Sequence, residues 1–120
     1  MEGSIVSQCR VIFPGSLNSH ETLFGGIAMQ WMDEVAFITA SRYARKKVVT
    51  TKVDHVKFYA PIKEGTIVEL IGKVTKTSGV RIEVSVEMIS EEILSGQKEK
   101  AIEAIFVLSP VNHLNKPIRI

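Results

Sequence analysis

Cysteine is nearly absent: Cys9 is the one thiol in 120 residues. No disulfide can close within the chain, and the composition fits a reducing compartment, so the expected location is cytoplasmic. Cys9 lies in an apolar stretch and is expected to be a small buried hydrophobe. Long apolar runs are missing too. The longest uninterrupted ones, residues 35–38 and 104–108, fall far short of the roughly 20 residues that cross a bilayer. The opening MEGSIVSQCRVIF carries an early acid and lacks a basic segment followed by an apolar one, so it does not read as a signal peptide. No membrane insertion is expected. Neither sign of charge dominates, with 15 Lys and Arg against 13 Asp and Glu. That balance is too mild for a nucleic-acid partner and leaves room only for a local basic patch.

Several catalytic signatures are also missing. There is no G-x-S-x-G elbow for a Ser-His-Asp triad, no G-x-G-x-x-G and no phosphate-binding P-loop. His55 and His113 stand in no spacing relation to cysteine, histidine or acid that resembles a metal site. Triad, metal and nucleotide-hydrolysis chemistry are set aside, and no cofactor is expected.

What is present is enough to build a core. Apolar residues make up 45% of the chain, which suits one domain over residues 1–120, its core at about 5–109 and a frayed tail at 110–120. Residues 4–13, rich in β-branched and apolar side chains, predict a first strand ended by Pro14-Gly15. From Gly26 to Ala44 no proline and no interior glycine interrupts, so a helix of about five turns is predicted. Thr22 is a plausible N-cap. Arg42, Arg45, Lys46 and Lys47 gather at the far end, where cations complement the helix dipole. Ile27, Met29, Trp31, Met32, Val35, Phe37 and Ile38 cannot share one narrow stripe, so the helix is expected to be enclosed. The rest reads as strands at 48–60, 66–77, 80–90 and 98–109. Val80, Ile82, Val84, Val86 and Met88 alternate with Arg81, Glu83, Ser85 and Glu87, the period of two of a half-buried antiparallel strand. The class is therefore α+β: one antiparallel five-stranded sheet wrapped around a long helix, in the order β-α-β-β-β-β. One such sheet cannot cover every side of the helix, and a second copy is expected to cover the remainder, most simply about a two-fold axis.

Asp33 and Glu34 interrupt the apolar helix. A buried, unpartnered carboxylate costs several kcal/mol, so either both lie on a strip that reaches water, or Asp33 projects into a cleft as general base or nucleophile. Met29, Gln30, Ala36 and Phe37 stand three and four positions away and give it a mixed wall. Gly25 and Gly26 expose backbone N–H groups at the helix start. They serve either tight packing or an oxyanion hole. Asn18 and His20 precede that start in a loop; Asn18 is a turn residue, or its amide polarises a carbonyl or holds a water.

The stretch PGSLNSHETLFGGIAMQWMDEVA, with its N-x5-FGG-x6-D pattern, resembles the hotdog-fold acyl-CoA thioesterases, closest to the bacterial cytosolic acyl-CoA hydrolase group. The later VVTTKVDHVKFYAPIKEGTIVEL, with Phe58, Pro61, Ile62 and Gly65, is similar to that family's F-x-x-P-I and following glycine. The resemblance covers roughly residues 5–109. It implies that Asp33 is the catalytic aspartate and Asn18 the catalytic asparagine, contributed by opposite subunits or opposite repeats. It implies dimers joined edge to edge and commonly assembled into hexamers as trimers of dimers. It also implies that coenzyme A, part of substrate and product rather than a resident cofactor, lies near Thr77, Ser78, Gly79 and Arg81. Lys76 joins Arg81 as a cation suited to its phosphates. His20 and Glu21 depart from the family's usual loop, where a small residue followed by glycine is frequent. Two rival readings remain. A hotdog hydratase pairs its acid with a histidine five positions on, where this chain has Ile38; a non-catalytic acyl-CoA sensor needs no catalytic acid.

Overall fold

The computed structural model describes residues 5–120. Strand β1 (Ile5–Val11) leads through a short 3-10 turn at Pro14–Ser16 into helix α1 (Gly25–Ala44). Four strands follow: β2 (Val48–Phe58), β3 (Thr66–Ser78), β4 (Arg81–Glu92) and β5 (Lys98–Pro110). Residue 4, expected to open the first strand, lies outside the described residues. The strands form one sheet in the order β1-β3-β4-β5-β2, every neighbour antiparallel. This is the hotdog arrangement, a sheet curled around one long helix.

Alternation sets the inner face. Val68, Leu70, Gly72 and Val74 of β3 meet Ile82, Val84, Val86 and Met88 of β4, all buried, while Lys73 and Glu87 point the other way. Ala28, Met32, Val35, Ala36, Thr39 and Ala40 form the helix face against this layer. Small residues let the two backbones approach. At Gly72 even one carbon is too much: a Cβ there would stand 2.4 Å from Thr39 Oγ1 and 2.8 Å from Val35 Cγ1. Thr39, buried beneath the helix, donates its hydroxyl to the Val35 carbonyl at 2.7 Å, so its polar atom is satisfied.

The sheet covers one side of the helix and leaves Phe37 on the other 47% exposed, as expected of a single sheet that cannot cover every side. Three expectations are corrected. Cys9 is exposed, because β1 carries apolar residues on both faces and only the pairing to β3 shows that Val6 turns inward and Cys9 outward. Thr22 is not the N-cap; Phe24 is, with no side-chain cap, and Thr22 is drawn instead into the loop around Asn18. The tail is not frayed. Val111 N–H donates to the Lys47 carbonyl, Ile118 N–H to Pro110 and Ile120 N–H to Gly79, so the tail folds back across the end of the sheet.

Candidate active site

Successive helix residues point about 100° apart, and Asp33 and Glu34 accordingly reach opposite edges of the sheet. Asp33 is half-buried and faces β2, where Thr50 donates its hydroxyl to Asp33 Oδ1 at 2.7 Å. Glu34 faces β1. Its carboxylate pairs with Arg10 at 2.8 Å and accepts a weaker bond from Gln30 at 3.3 Å. The Arg10 guanidinium also stacks 4.6 Å above the Trp31 ring, a cation–π contact that fixes its direction. Gln8, Arg10, Phe37 and Ile38 complete a groove of about 430 Å³ that both carboxylates line. One acid is thus tied into an ion pair, while the other is held by a neutral hydroxyl and left open to the groove.

Thr50 shares the inner face with buried Val48 two positions before it, and β2 becomes irregular only after Thr50. Thr50 lies opposite Leu108 and Lys52 opposite Val107, so Thr51 is an extra residue in the strand. This bulge reverses the alternation: Thr50 and Val53 both turn toward the helix, and Lys52 turns away to pair with Asp54 at 3.0 Å. Thr51 satisfies itself by donating to the Val107 carbonyl at 3.1 Å. Sequence reasoning missed Thr50. Nothing in the spacing of VVTTKV marks which threonine faces the helix, since valines precede both and the face is fixed only by pairing to β5.

The other expected residues fall into two further places. Gly25 and Gly26 open α1, where first-turn amides lack intrahelical acceptors. Gly25 packs by the Phe58 ring, beside a hollow of about 350 Å³ whose apolar lining includes Leu23, Pro61 and Ile102. Asn18 organises the loop before them: its Oδ1 accepts from the His20 N–H at 2.8 Å and the Thr22 N–H at 3.2 Å. Glu21, in that loop, has φ 61. A left-handed conformation at this position is the physical reason a glycine suits it. At 1.5 Å per residue, the helix start lies about 10 Å from Asp33, so one chain brings neither Asn18 nor the glycine amides to the carboxylate. Lys76, Thr77, Ser78 and Arg81 surround a hollow of about 150 Å³ with Glu83 and Val107, and Gly79 forms the turn tip. The register of Lys76 with Glu83 and Ser78 with Arg81 sets these pairs on the outer face, away from Asp33.

An unexpected charged cluster also occupies the outer face. Glu87 and Glu103 stand directly opposite each other on β4 and β5. Lys100 bridges them, at 2.9 Å from Glu87 and 3.4 Å from Glu103, and Tyr59 donates its hydroxyl to Glu103. That hydroxyl, then Lys100, holds the Glu103 carboxyl below its ordinary range; the bond to Glu103 raises the Tyr59 phenol, and the two carboxylates raise Lys100. Among the described residues, no group of three or more His, Cys, Asp or Glu is arranged to hold a metal ion. No helix there is long and apolar enough to cross a membrane.

β2 is a free edge. Val49, Val53, Val56 and Phe58 on it are exposed, next to the uncovered stripe of α1 with Phe37. The unpaired strand and the open helix face together form a surface prepared for a neighbour.

Comparison with known proteins locates this arrangement. The profile of the thioesterase superfamily matches residues 20–96. An uncharacterised acyl-CoA thioester hydrolase of Bacillus subtilis is 35% identical over 117 residues, covering 98% of this chain and 67% of its own length. The cytosolic acyl coenzyme A thioester hydrolase of Rattus norvegicus is 30% identical over 114 residues; there the match spans 93% of this chain but only 30% of the rat protein. A hexameric acyl-CoA thioesterase superimposes with TM-score 0.95 at 33% identity, over 98% of this chain and 76% of that one. The Staphylococcus aureus acyl-CoA hydrolase, solved with butyryl coenzyme A and coenzyme A, gives TM-score 0.93 at 31% identity, over 99% and 73%. Structures of that hydrolase with an aspartate, a threonine or an asparagine replaced by alanine match as closely.

Proposed function

Because the chain belongs to the thioesterase superfamily, we propose that it hydrolyses fatty acyl-CoA thioesters, with Asp33 as the catalytic carboxylate. The observation that carries this reading is the geometry of Asp33: a carboxylate on an otherwise apolar helix, bonded by Thr50 at 2.7 Å and open to a groove. Asp33 either takes a proton from water as that water attacks the thioester carbon, or attacks the carbon itself to form an anhydride that water opens. In both routes the carbon–sulfur bond breaks, coenzyme A leaves as a thiolate, and the acyl group leaves as a carboxylic acid. A thiolate is a good leaving group, so no strong general acid is required. The amides of Gly26 and Gly25 stabilise the oxyanion, and Asn18 positions the water or the carbonyl. Thr50 orients Asp33 through the bond it donates.

Two copies complete the site. The helix start lies about 10 Å from Asp33 in one chain, and the free β2 edge beside the open helix face suits an edge-to-edge dimer. Relatives solved as hexamers support a trimer of such dimers. A relative named cytosolic supports a cytosolic location. The three replaced residues of the Staphylococcus aureus hydrolase stand 15 and 17 positions apart along its chain, as Asn18, Asp33 and Thr50 do here.

Asp33→Asn, assayed with a panel of acyl-CoA thioesters by detection of free thiol, is expected to lose a factor of about 10²–10⁴ in kcat. Asn18→Ala is expected to fall steeply as well. Co-refolding the two variants should restore activity, since a mixed dimer keeps one site with both groups intact. No turnover by the unaltered protein with any chain length, while coenzyme A binds, favours a binding module over an enzyme.

A further inference from the structure

The side-chain amide of Asn18 is committed at one end and open at the other. Its Oδ1 accepts from the His20 N–H at 2.8 Å and from the Thr22 N–H at 3.2 Å. The Thr22 hydroxyl stands 3.2 Å from the same oxygen. A carbonyl oxygen has two lone pairs, so the acceptor end of this amide is used up inside the loop. The two backbone donors also settle which end is which, since an amide nitrogen turned toward them would set N–H against N–H. At the other end, Nδ2 donates one of its two protons to Thr22 Oγ1 at 3.0 Å. Among the described residues the second N–H meets no acceptor.

The loop that holds this amide is continuous with the helix start. Asn18 N–H donates to the Thr22 carbonyl at 2.8 Å, Leu17 bridges to Leu23, and Phe24 N–H donates to the Ser16 carbonyl at 3.1 Å. Residues 16–18 and 22–24 therefore make a small antiparallel ladder, and its second arm runs directly into Gly25 at the first turn of α1. Leu23 N–H, bonded to the Ile62 carbonyl at 2.8 Å, fastens that arm to the chain after β2. The open Asn18 N–H and the Gly25 and Gly26 amides thus belong to one braced piece, and all of them are donors. Asp33, the acceptor, stands apart, about 10 Å along the helix.

We propose that Asn18 acts as a hydrogen-bond donor to the thioester carbonyl, not as the holder of the attacking water, and that Thr22 is the residue that positions it. The inference rests on the thioesterase reading above and decides a choice that reading leaves open. A water poised to attack keeps a lone pair aimed at the carbon and is held through its protons, by acceptors. Oδ1 has no lone pair left, so holding that water falls to Asp33. The one N–H that Asn18 has to spare suits the carbonyl oxygen, which gathers negative charge as the carbon becomes tetrahedral. Thr22 acts through Asn18: its hydroxyl takes the inner N–H and so aims the outer one.

Asn18→Asp separates the roles. A carboxylate accepts from His20 and Thr22 as the amide oxygen does, so the loop and the Tm should be kept while the donor is lost. The kcat should fall by about 10²–10³, the usual loss for one oxyanion donor, with KM little changed. Unaltered turnover in Asn18→Asp overturns the proposal, because a turn residue or an acceptor for water survives that change. Thr22→Val should lower kcat roughly three- to tenfold with KM little changed, and Thr22→Ser should restore it; full activity in Thr22→Val refutes the positioning role. The carbonyl gives an independent readout. In the Asp33→Asn variant, isotope-edited infrared spectroscopy reads the thioester C=O stretch of the bound acyl-CoA that the unaltered protein cleaves fastest. Adding Asn18→Asp should move that band up toward the frequency of the free thioester, and adding Thr22→Val should move it part of the way. The Asp33 carboxylate is gone from this background, so repulsion between two acids does not produce the shift. A band that stays in place on adding Asn18→Asp overturns the proposal. Failure of the unaltered protein to cleave any thioester counts against the hydrolase reading instead.

Discussion

Gly72→Ala puts the helix-to-sheet packing to a direct test. The added Cβ would stand 2.4 Å from Thr39 Oγ1 and 2.8 Å from Val35 Cγ1, about an ångström inside the 3.5–4.0 Å at which such atoms pack best. Neither neighbour can yield cheaply. Both are buried, and Thr39 is bonded back to the Val35 carbonyl at 2.7 Å. The helix must therefore lift from β3, or the strand must bend. Overpacking of this kind costs about 1–3 kcal/mol, and it outweighs the roughly 0.5–1 kcal/mol by which alanine ordinarily improves on glycine inside a strand. At about 2 cal/mol/K of unfolding entropy per residue, a 120-residue domain loses roughly 4 °C of Tm per kcal/mol. The net loss of about 0.5–2 kcal/mol corresponds to a fall of about 2–8 °C, read by circular dichroism. Thr39→Ala and Val35→Ala remove the two offending atoms, so in that double background the Gly72→Ala penalty should largely vanish. A Gly72→Ala protein as stable as its parent would refute the reasoning, as would a penalty unchanged in the relieved background.

Thr50→Val keeps the side-chain shape and removes the hydroxyl bonded to Asp33. A bond to a charged group contributes about 1.5–3 kcal/mol, so kcat should fall roughly ten- to a hundredfold while Tm hardly moves, and Thr50→Ser should retain most of the activity. In Tyr59→Phe the Glu103 carboxyl loses the main group that depresses its pKa, and its NMR titration should move up toward the ordinary carboxylate range. The sign for stability follows: a depressed folded pKa favours the folded state above the unfolded value of about 4.5 and loses that effect as pH falls through the folded value. The Tm advantage of the parent over Tyr59→Phe should accordingly be present at neutral pH and disappear in acid.

The helix and the long strands were legible because their signals are local. An unbroken run to Ala44 and the alternation across residues 80–88 depend only on neighbours a few positions apart. Asp33, Asn18 and the glycine pair were likewise visible as motifs, since a charged residue in an apolar helix and two glycines at its start are written in consecutive letters. Apolar residues on both faces of β1 hid the exposure of Cys9, because parity there is set by pairing with β3.

By itself the sequence determined the order of elements, the approximate ends of each, and the carboxylate proposed here as catalytic. Tertiary structure alone decided which groups meet. Pairing to β5 placed Thr50 beside Asp33, pairing to β3 placed Arg10 beside Glu34, and one peptide unit of the tail joined Lys46 to the turn at Gly79. The physical reason is the same in each case. Periodicity reports which way a side chain points relative to its own backbone, whereas a partner contributed from tens of residues away depends on register, curvature and chain reversal.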